Sequence, residues 1–182
     1  HLLYRNGADG KLSEVAFEAG VAANETGAMV SGMGCDFKDF DDDGWPDIFL
    51  SDLARDVFTL FVNQGKGFFV DRTFPSGVAS ASMAHSGWSL KMLDIDDDGR
   101  KDVFVAGSHV VDNVELYSPA AKYKEGCFLY RNVGGGRIED LSKRVGPDIT
   151  VAGAWRGVAV ADLDDDGTLE VAVNQLNGPA AL

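Results

Sequence analysis

Cysteine, histidine and proline are scarce in this chain, at two, three and five of 182 residues. A disulfide-stapled scaffold needs several cysteine pairs, so two cysteines exclude one and do not decide the redox compartment. The histidines, His1, His85 and His109, lack any paired spacing such as HxxxH, which removes the ordinary zinc arrangements. No apolar run reaches the ~18 residues of a membrane span, so no transmembrane helix is expected. Basic residues number 16 against 29 acidic ones, for a net charge of −13, and no basic patch interrupts the balance. Nucleic acid is therefore a poor partner. The chain opens at His1 with neither Met nor a signal peptide, and reads as a mature, trimmed or excised segment.

What is present is acid, concentrated in three places. Asp39-Phe-Asp41-Asp-Asp43-Gly44-Trp45-Pro-Asp47 returns as Asp94-Ile-Asp96-Asp-Asp98-Gly99-Arg100-Lys-Asp102 and as Asp162-Leu-Asp164-Asp-Asp166-Gly167-Thr168-Leu-Glu170. Fifteen of the 29 acidic residues lie in these nonapeptides. Each places carboxylates at positions 1, 3, 5 and 9, with glycine at position 6. Hard cations take six to eight oxygens in a flexible shell, and a loop whose alternate side chains converge around a glycine turn can supply most of them. The carbonyl of position 7, on Trp45, Arg100 or Thr168, adds one more. The expected metal ligands are therefore Asp39, Asp41, Asp43, Trp45 and Asp47; Asp94, Asp96, Asp98, Arg100 and Asp102; and Asp162, Asp164, Asp166, Thr168 and Glu170. Up to three Ca2+ would bind, leaving a net charge of about −7. Asp42, Asp97 and Asp165, at position 4, read as solvated charge.

An EF-hand closes its shell with Glu at position 12 and sits between helices. Position 12 here is Leu50, Val105 and Val173, and the flanking runs, such as Cys35 to Lys38 and Ile48 to Leu50, are strand-like. The loop thus joins two strands, and position 9 supplies the side chain that position 12 supplies elsewhere.

A second pattern recurs beside the loops. Leu3-Tyr-Arg-Asn6, Leu60-Phe-Val-Asn63 and Leu129-Tyr-Arg-Asn132 each run into a Gly-containing turn and another short apolar stretch, which is a hairpin signal. Gly134 to Gly136 is such a turn and not a phosphate cradle, since a strand follows it and not a helix. One repeat is thus two hairpins, or four strands, with the approximate division 1–57, 58–126 and 127–182 and an insertion at 108–126. Cys35 aligns with Leu90 and Val158, and Cys127 with Phe58, so both cysteines are expected in the core and unpaired. Asp36 has no acidic counterpart and is expected to be exposed. No second domain is indicated.

Strand, DxDxDGxxD loop, strand resembles the FG-GAP or VCBS repeat, over nearly the whole chain. That resemblance implies an all-β fold: calcium-binding β-propeller blades of the integrin α-chain type, commonly extracellular, whether secreted or on the cell surface. Glu170 departs from the family pattern, where Asp stands; its longer arm can reach the ion or bind it bidentately. Gly107-Ser-His109-Val, Phe128 to Asn132, Arg156 to Asp162 and Val173-Asn-Gln-Leu-Asn-Gly-Pro179 are similar to the acidic secreted cartilage protein and UnbV group, in which further chain follows. Three repeats are fewer than the four to eight blades of a closed propeller, which implies an arc completed by missing residues or by other copies.

The function this implies is a non-catalytic scaffold or adhesion module with a protein or glycan ligand. A lectin-like alternative rests on Trp88, Trp155 or the insertion at 108–126; the expected role of the two tryptophans is otherwise packing between blades. A glycan-active enzyme is less favoured, because no acid and base pair stands out beyond the loops. Ser86 beside His85 does not make a dyad, since neighbours on an extended chain face opposite ways.

Overall fold

A computed structural model describes residues 1–182. Its strands are β1 (Tyr4–Asn6), β2 (Leu12–Glu14), β3 (Gly34–Lys38), β4 (Asp47–Ser51), β5 (Thr59–Asn63), β6 (Phe69–Asp71), β7 (Gly87–Leu93), β8 (Asp102–Gly107), β9 (Phe128–Asn132), β10 (Ile138–Asp140), β11 (Trp155–Ala161) and β12 (Glu170–Gln175). Two short helices, α1 (Ala16–Ala19) and α2 (Val78–Ser82), fill connections. The chain is all-β with four antiparallel sheets, an arrangement consistent with propeller-like repeats. No helix is long and apolar enough to cross a membrane.

Two sheets have four strands, in the orders β3-β4-β5-β6 and β7-β8-β9-β10, and two have only two, β1-β2 and β11-β12. Each four-stranded sheet begins with the strands around an acidic loop and ends with an Asn-turn hairpin. The sheets therefore straddle the sequence-based borders at 57/58 and 126/127. Pairing sets the phase: β4 bonds to β5 across the short 52–58 connection, with Ile48 opposite Phe61, whereas β2 and β3 do not pair. The chain ends carry one hairpin each.

Strand alternation explains how the sheets stack. Successive side chains point to opposite faces. Phe49, Leu60 and Val62 of one sheet meet Val103, Val105, Phe128 and Tyr130 of the next in a common cluster. From the other face of that second sheet, Phe104, Ala106 and Leu129 meet Trp155, Val158 and Val173. Ile48, Leu50 and Phe61 are covered by Ala16, Ala19 and Val21. Sheets buried on both faces read as continuous apolar runs, which is how β4, β5, β8 and β9 appear in sequence.

β7 lies between β3 and β11. Gly34 is required where β3 passes β7, because a Cβ there would collide with the Trp88 carbonyl. Asp36, expected to be exposed, is half-buried and accepts a hydrogen bond from Met92 N at 2.9 Å, so it ties β3 to β7. The same alternation turns Cys35 to the opposite side, where no strand lies. Cys35 is therefore exposed, contrary to its alignment with the buried Leu90, while Cys127 is buried as expected; both are free thiols.

The insertion leaves β8, forms a 3-10 turn at Val114–Leu116 and returns through bridges from Ser108 to Lys124 and from Glu125 to Gly153. It delivers Glu125 to His85 Nδ1 at 2.9 Å and to Ser86 N at 3.1 Å. Ser86 Oγ instead accepts from Ala54 N, so no Ser-His dyad forms.

Candidate metal centre

Each acidic nonapeptide links two adjacent antiparallel strands: β3 to β4, β7 to β8 and β11 to β12. Glycine at position 6 adopts φ of 90°, 89° and 92° at Gly44, Gly99 and Gly167. Position 4 is also left-handed, with φ of 65°, 55° and 59° at Asp42, Asp97 and Asp165. Asp tolerates that conformation better than most residues. The position-4 acids thus shape the turn as well as carrying charge, a role the sequence reading did not give them.

The side chains fold the loop inward. Asp39 accepts from Asp43 N at 3.1 Å and Gly44 N at 2.8 Å, and Asp94 accepts from Asp98 N and Gly99 N in the same way. Asp162 accepts from Gly167 N at 3.0 Å. At position 5, Asp43, Asp98 and Asp166 accept from the backbone N–H of Trp45, Arg100 and Thr168. Three carboxylates per loop are brought together: Asp39, Asp41 and Asp43; Asp94, Asp96 and Asp102; Asp162, Asp164 and Glu170, with one oxygen of each inside a 4.8 Å group.

Position 9 is bound differently from the rest. Asp47 is fully buried, and its carboxylate accepts from Phe40 N and Asn63 N, both at 2.8 Å. Asp102 does the same with Ile95 N at 3.2 Å and Asn132 N at 2.8 Å. This residue therefore fastens the loop to β5 or β9. Burial pushes the Asp47 carboxyl up to about 6, against the lowering effect of those two N–H donors, and raises Asp102 likewise. Glu170 accepts only from Leu163 N, at 2.7 Å.

The hairpin asparagines complete the arrangement, and sequence reasoning treated them only as turn formers. Asn63 and Asn132 do accept from Gly65 N and Gly134 N in that capacity. Asn63 also donates to the Pro46 carbonyl at 3.0 Å. Asn132 donates to the Lys101 carbonyl of its own sheet's loop and, at 2.6 Å, to the Phe40 carbonyl of the neighbouring sheet's loop. The available signal was the return of Asn at one hairpin position in all three copies, where Gly or Asp would serve a turn equally well.

Electrostatics separates the loops. In the second, Arg131 lies 2.6 Å from Asp96 and 3.3 Å from Asp98, and Arg100 pairs with Asp98. The Arg100 N–H, then the Arg100 and Arg131 charges, hold the Asp98 carboxyl low. No arginine pairs with the first or third loop. In the first, burial and then the charges of Asp43 and Asp39 raise Asp41. One buried oxygen each of Asp41 and Asp162 has no hydrogen-bond partner. Buried polar atoms are rarely left so, and oxygens that face other carboxylates in this way could hold a cation. The donor set is all oxygen, which suits a hard cation over a soft one.

Trp155 is 6% exposed within the core between sheets, and the Trp88 ring is covered by the Arg156 guanidinium at 4.1 Å. Trp88 also donates to the Ser108 carbonyl. Trp45 is 50% exposed and lies against Gly65.

No curated protein matches the chain. Residues 39–105, from the first acidic loop through the second and into β8, match the family model described as FG-GAP-like repeat, which supports the FG-GAP repeat family for this segment.

Proposed function

We propose that the chain is a non-catalytic, calcium-binding scaffold or adhesion module of the FG-GAP and integrin α-chain type, working outside the cell with a protein ligand. The observation that carries this reading is the pair of unpartnered buried oxygens, on Asp41 and Asp162, inside converging carboxylates. Ca2+ would be held by the carboxylates of Asp39, Asp41 and Asp43 in the first loop, by Asp94, Asp96 and Asp102 in the second, and by Asp162, Asp164 and Glu170 in the third. Bound there, the ion supplies positive charge that offsets carboxylate repulsion. Asp47 supports the site indirectly, by holding the loop against the sheet, and Asp102 does so as well as facing the ion position. Extracellular modules of this kind bind Ca2+ at about 0.1–1 mM, which suits permanent loading in extracellular fluid. The finer placement beside the acidic secreted cartilage protein and UnbV group rests on the Asn174 to Pro179 motif.

Two substitutions test the reading. Asp41→Ala is expected to lower thermal stability in calcium and to leave it nearly unchanged in chelator, since it removes an ion ligand but also a source of repulsion. Asp47→Ala is expected to cost about 2–4 kcal/mol in either condition, because it strips two buried N–H groups of their acceptor. If Asp41→Ala loses the same stability with and without calcium, the loop is structural and the ion site is refuted.

A further inference from the structure

Of the seven asparagines, only Asn24 is followed two residues later by a hydroxyl, in Asn24-Glu25-Thr26. The segment lies on the loop from α1 to β3, and it is folded into a closed turn. Asn24 Oδ1 accepts from Thr26 N at 3.1 Å, from Thr26 Oγ at 2.8 Å and from Ala28 N at 2.9 Å. The backbone seals the same turn: Gly27 N donates to the Asn24 carbonyl at 2.9 Å and Asn24 N to the Ala28 carbonyl at 3.0 Å, with Gly27 at φ 78°. Two anchors hold the turn in place. Glu25 N donates to Asp71 at 2.9 Å, at the end of β6, and Val21 packs with Phe61 and Phe69.

The turn accounts for Oδ1 alone. A side-chain oxygen receiving three donors would be supplied at least as well by Asp, whose charged oxygens accept more strongly. What Asn adds is Nδ2, which donates to no protein atom and is not enclosed. Glu25 to Met29 are all exposed, so a bulky polar group attached here displaces no packed side chain. Asn-x-Thr, with x other than Pro, is the acceptor sequence for N-linked oligosaccharide and belongs on a surface loop of a secreted protein. Glu25 occupies the middle position, and the Thr26 hydroxyl is already folded back onto the amide that would be modified.

We propose that Asn24 is an N-glycosylation site whose acceptor conformation is formed in the native fold. The proposal rests on the extracellular reading above for its compartment and not on ion binding, since Asn24 and Thr26 lie outside the acidic loops. The co-substrate is an oligosaccharide carried on a lipid pyrophosphate. Asn24 Nδ2 bonds to the anomeric carbon, and the bond from that carbon to the phosphate oxygen breaks. The lipid pyrophosphate leaves with the electron pair, and Nδ2 gives up one of its two protons. The sugar stands beside β6, the outer strand of the β3-β4-β5-β6 sheet.

The test incubates the full chain, folded and unmodified, with a purified oligosaccharyltransferase and its lipid-linked oligosaccharide, and reads intact mass and the modified peptide. The folded chain is expected to gain a single oligosaccharide, on Asn24, at least as fast as a synthetic peptide of residues 20–30 does. Asn24→Gln and Thr26→Ala should each abolish the gain, while Thr26→Ser, which keeps the hydroxyl, should still accept the sugar more slowly. Unchanged circular dichroism shows that these variants fold. A folded chain that stays unmodified while the peptide is glycosylated, no transfer to either, or transfer to the Thr26→Ala variant would overturn the proposal. Because transfer is run outside the cell and without calcium loading of the acidic loops as its readout, a failure of the extracellular or ion reading leaves this result standing. Calcium titration of the same preparation reads the ion sites separately.

Discussion

At the scale of single residues, the informative groups are buried and polar. Tyr130 is fully enclosed between the stacked Phe128 ring and Phe58, and its hydroxyl has no partner; burial keeps its proton on far above the usual range. Tyr130→Phe is therefore expected to leave stability unchanged or to raise it by about 1 kcal/mol, as measured by chemical denaturation. A large loss would mean that the hydroxyl has a bound partner. Asp52 is buried, with Leu53 N donating to it at 2.7 Å, and burial pushes its carboxyl up to about 6 from 3.8. The folded state thus holds this proton more tightly than the unfolded chain. Asp52's contribution to stability is complete below pH 3.8 and is lost as pH rises through about 6. Asp52→Asn should flatten that part of the stability profile and gain about 1–2 kcal/mol at pH 7, allowing for solvent screening. An unchanged profile would show that Asp52 titrates normally.

At the scale of elements, the loop, its strands and the following hairpin form one unit. Asn132 makes the connection: it bonds to the loop of its own sheet and to the loop of the next. Asn132→Ala should cost about 1–3 kcal/mol, since it leaves buried carbonyls without donors. Asn6→Ala, in the identical tetrapeptide, should cost the monomer nothing measurable, because Asn6 has nothing to dock on. Equal losses at the two positions would show that the asparagines act only within their own turns. The contrast separates local turn chemistry from long-range pairing, which thermal unfolding of dilute protein reads directly.

At the scale of the whole molecule, acidity governs behaviour. A net charge of −13 opposes compaction, and ions held by the loops would relieve it. Native mass spectrometry in calcium is expected to show up to three ions, lost on chelation, with a fall in thermal midpoint that follows the calcium concentration. The second loop, already met by Arg100 and Arg131, is expected to be the weakest of the three. An ion count of zero would remove calcium from the account and leave the loops as turns.

The sequence alone determined the strands, the loop turns and their order, because alternation and turn chemistry act over a few residues. The runs around each acidic loop became β3 and β4, β7 and β8, β11 and β12, and the glycine at position 6 took the left-handed backbone that its turn demands. Tertiary structure alone decided what lies beside each strand. Cys35 and Leu90 occupy the same repeat position, yet only Leu90 is covered, because β7 has neighbours on both sides and β3 on one. Position 9, expected as an ion ligand, also fastens the loop to β5 or β9 at Asp47 and Asp102, because the Asn63 and Asn132 backbone N–H groups arrive there from distant sequence. Leu3 to Asn6 and Leu129 to Asn132 are the same four residues, yet Tyr4 to Asn6 are exposed while Leu129 to Asn132 are largely buried. A side chain's surroundings depend on which strand folds next to it, and local sequence does not carry that information.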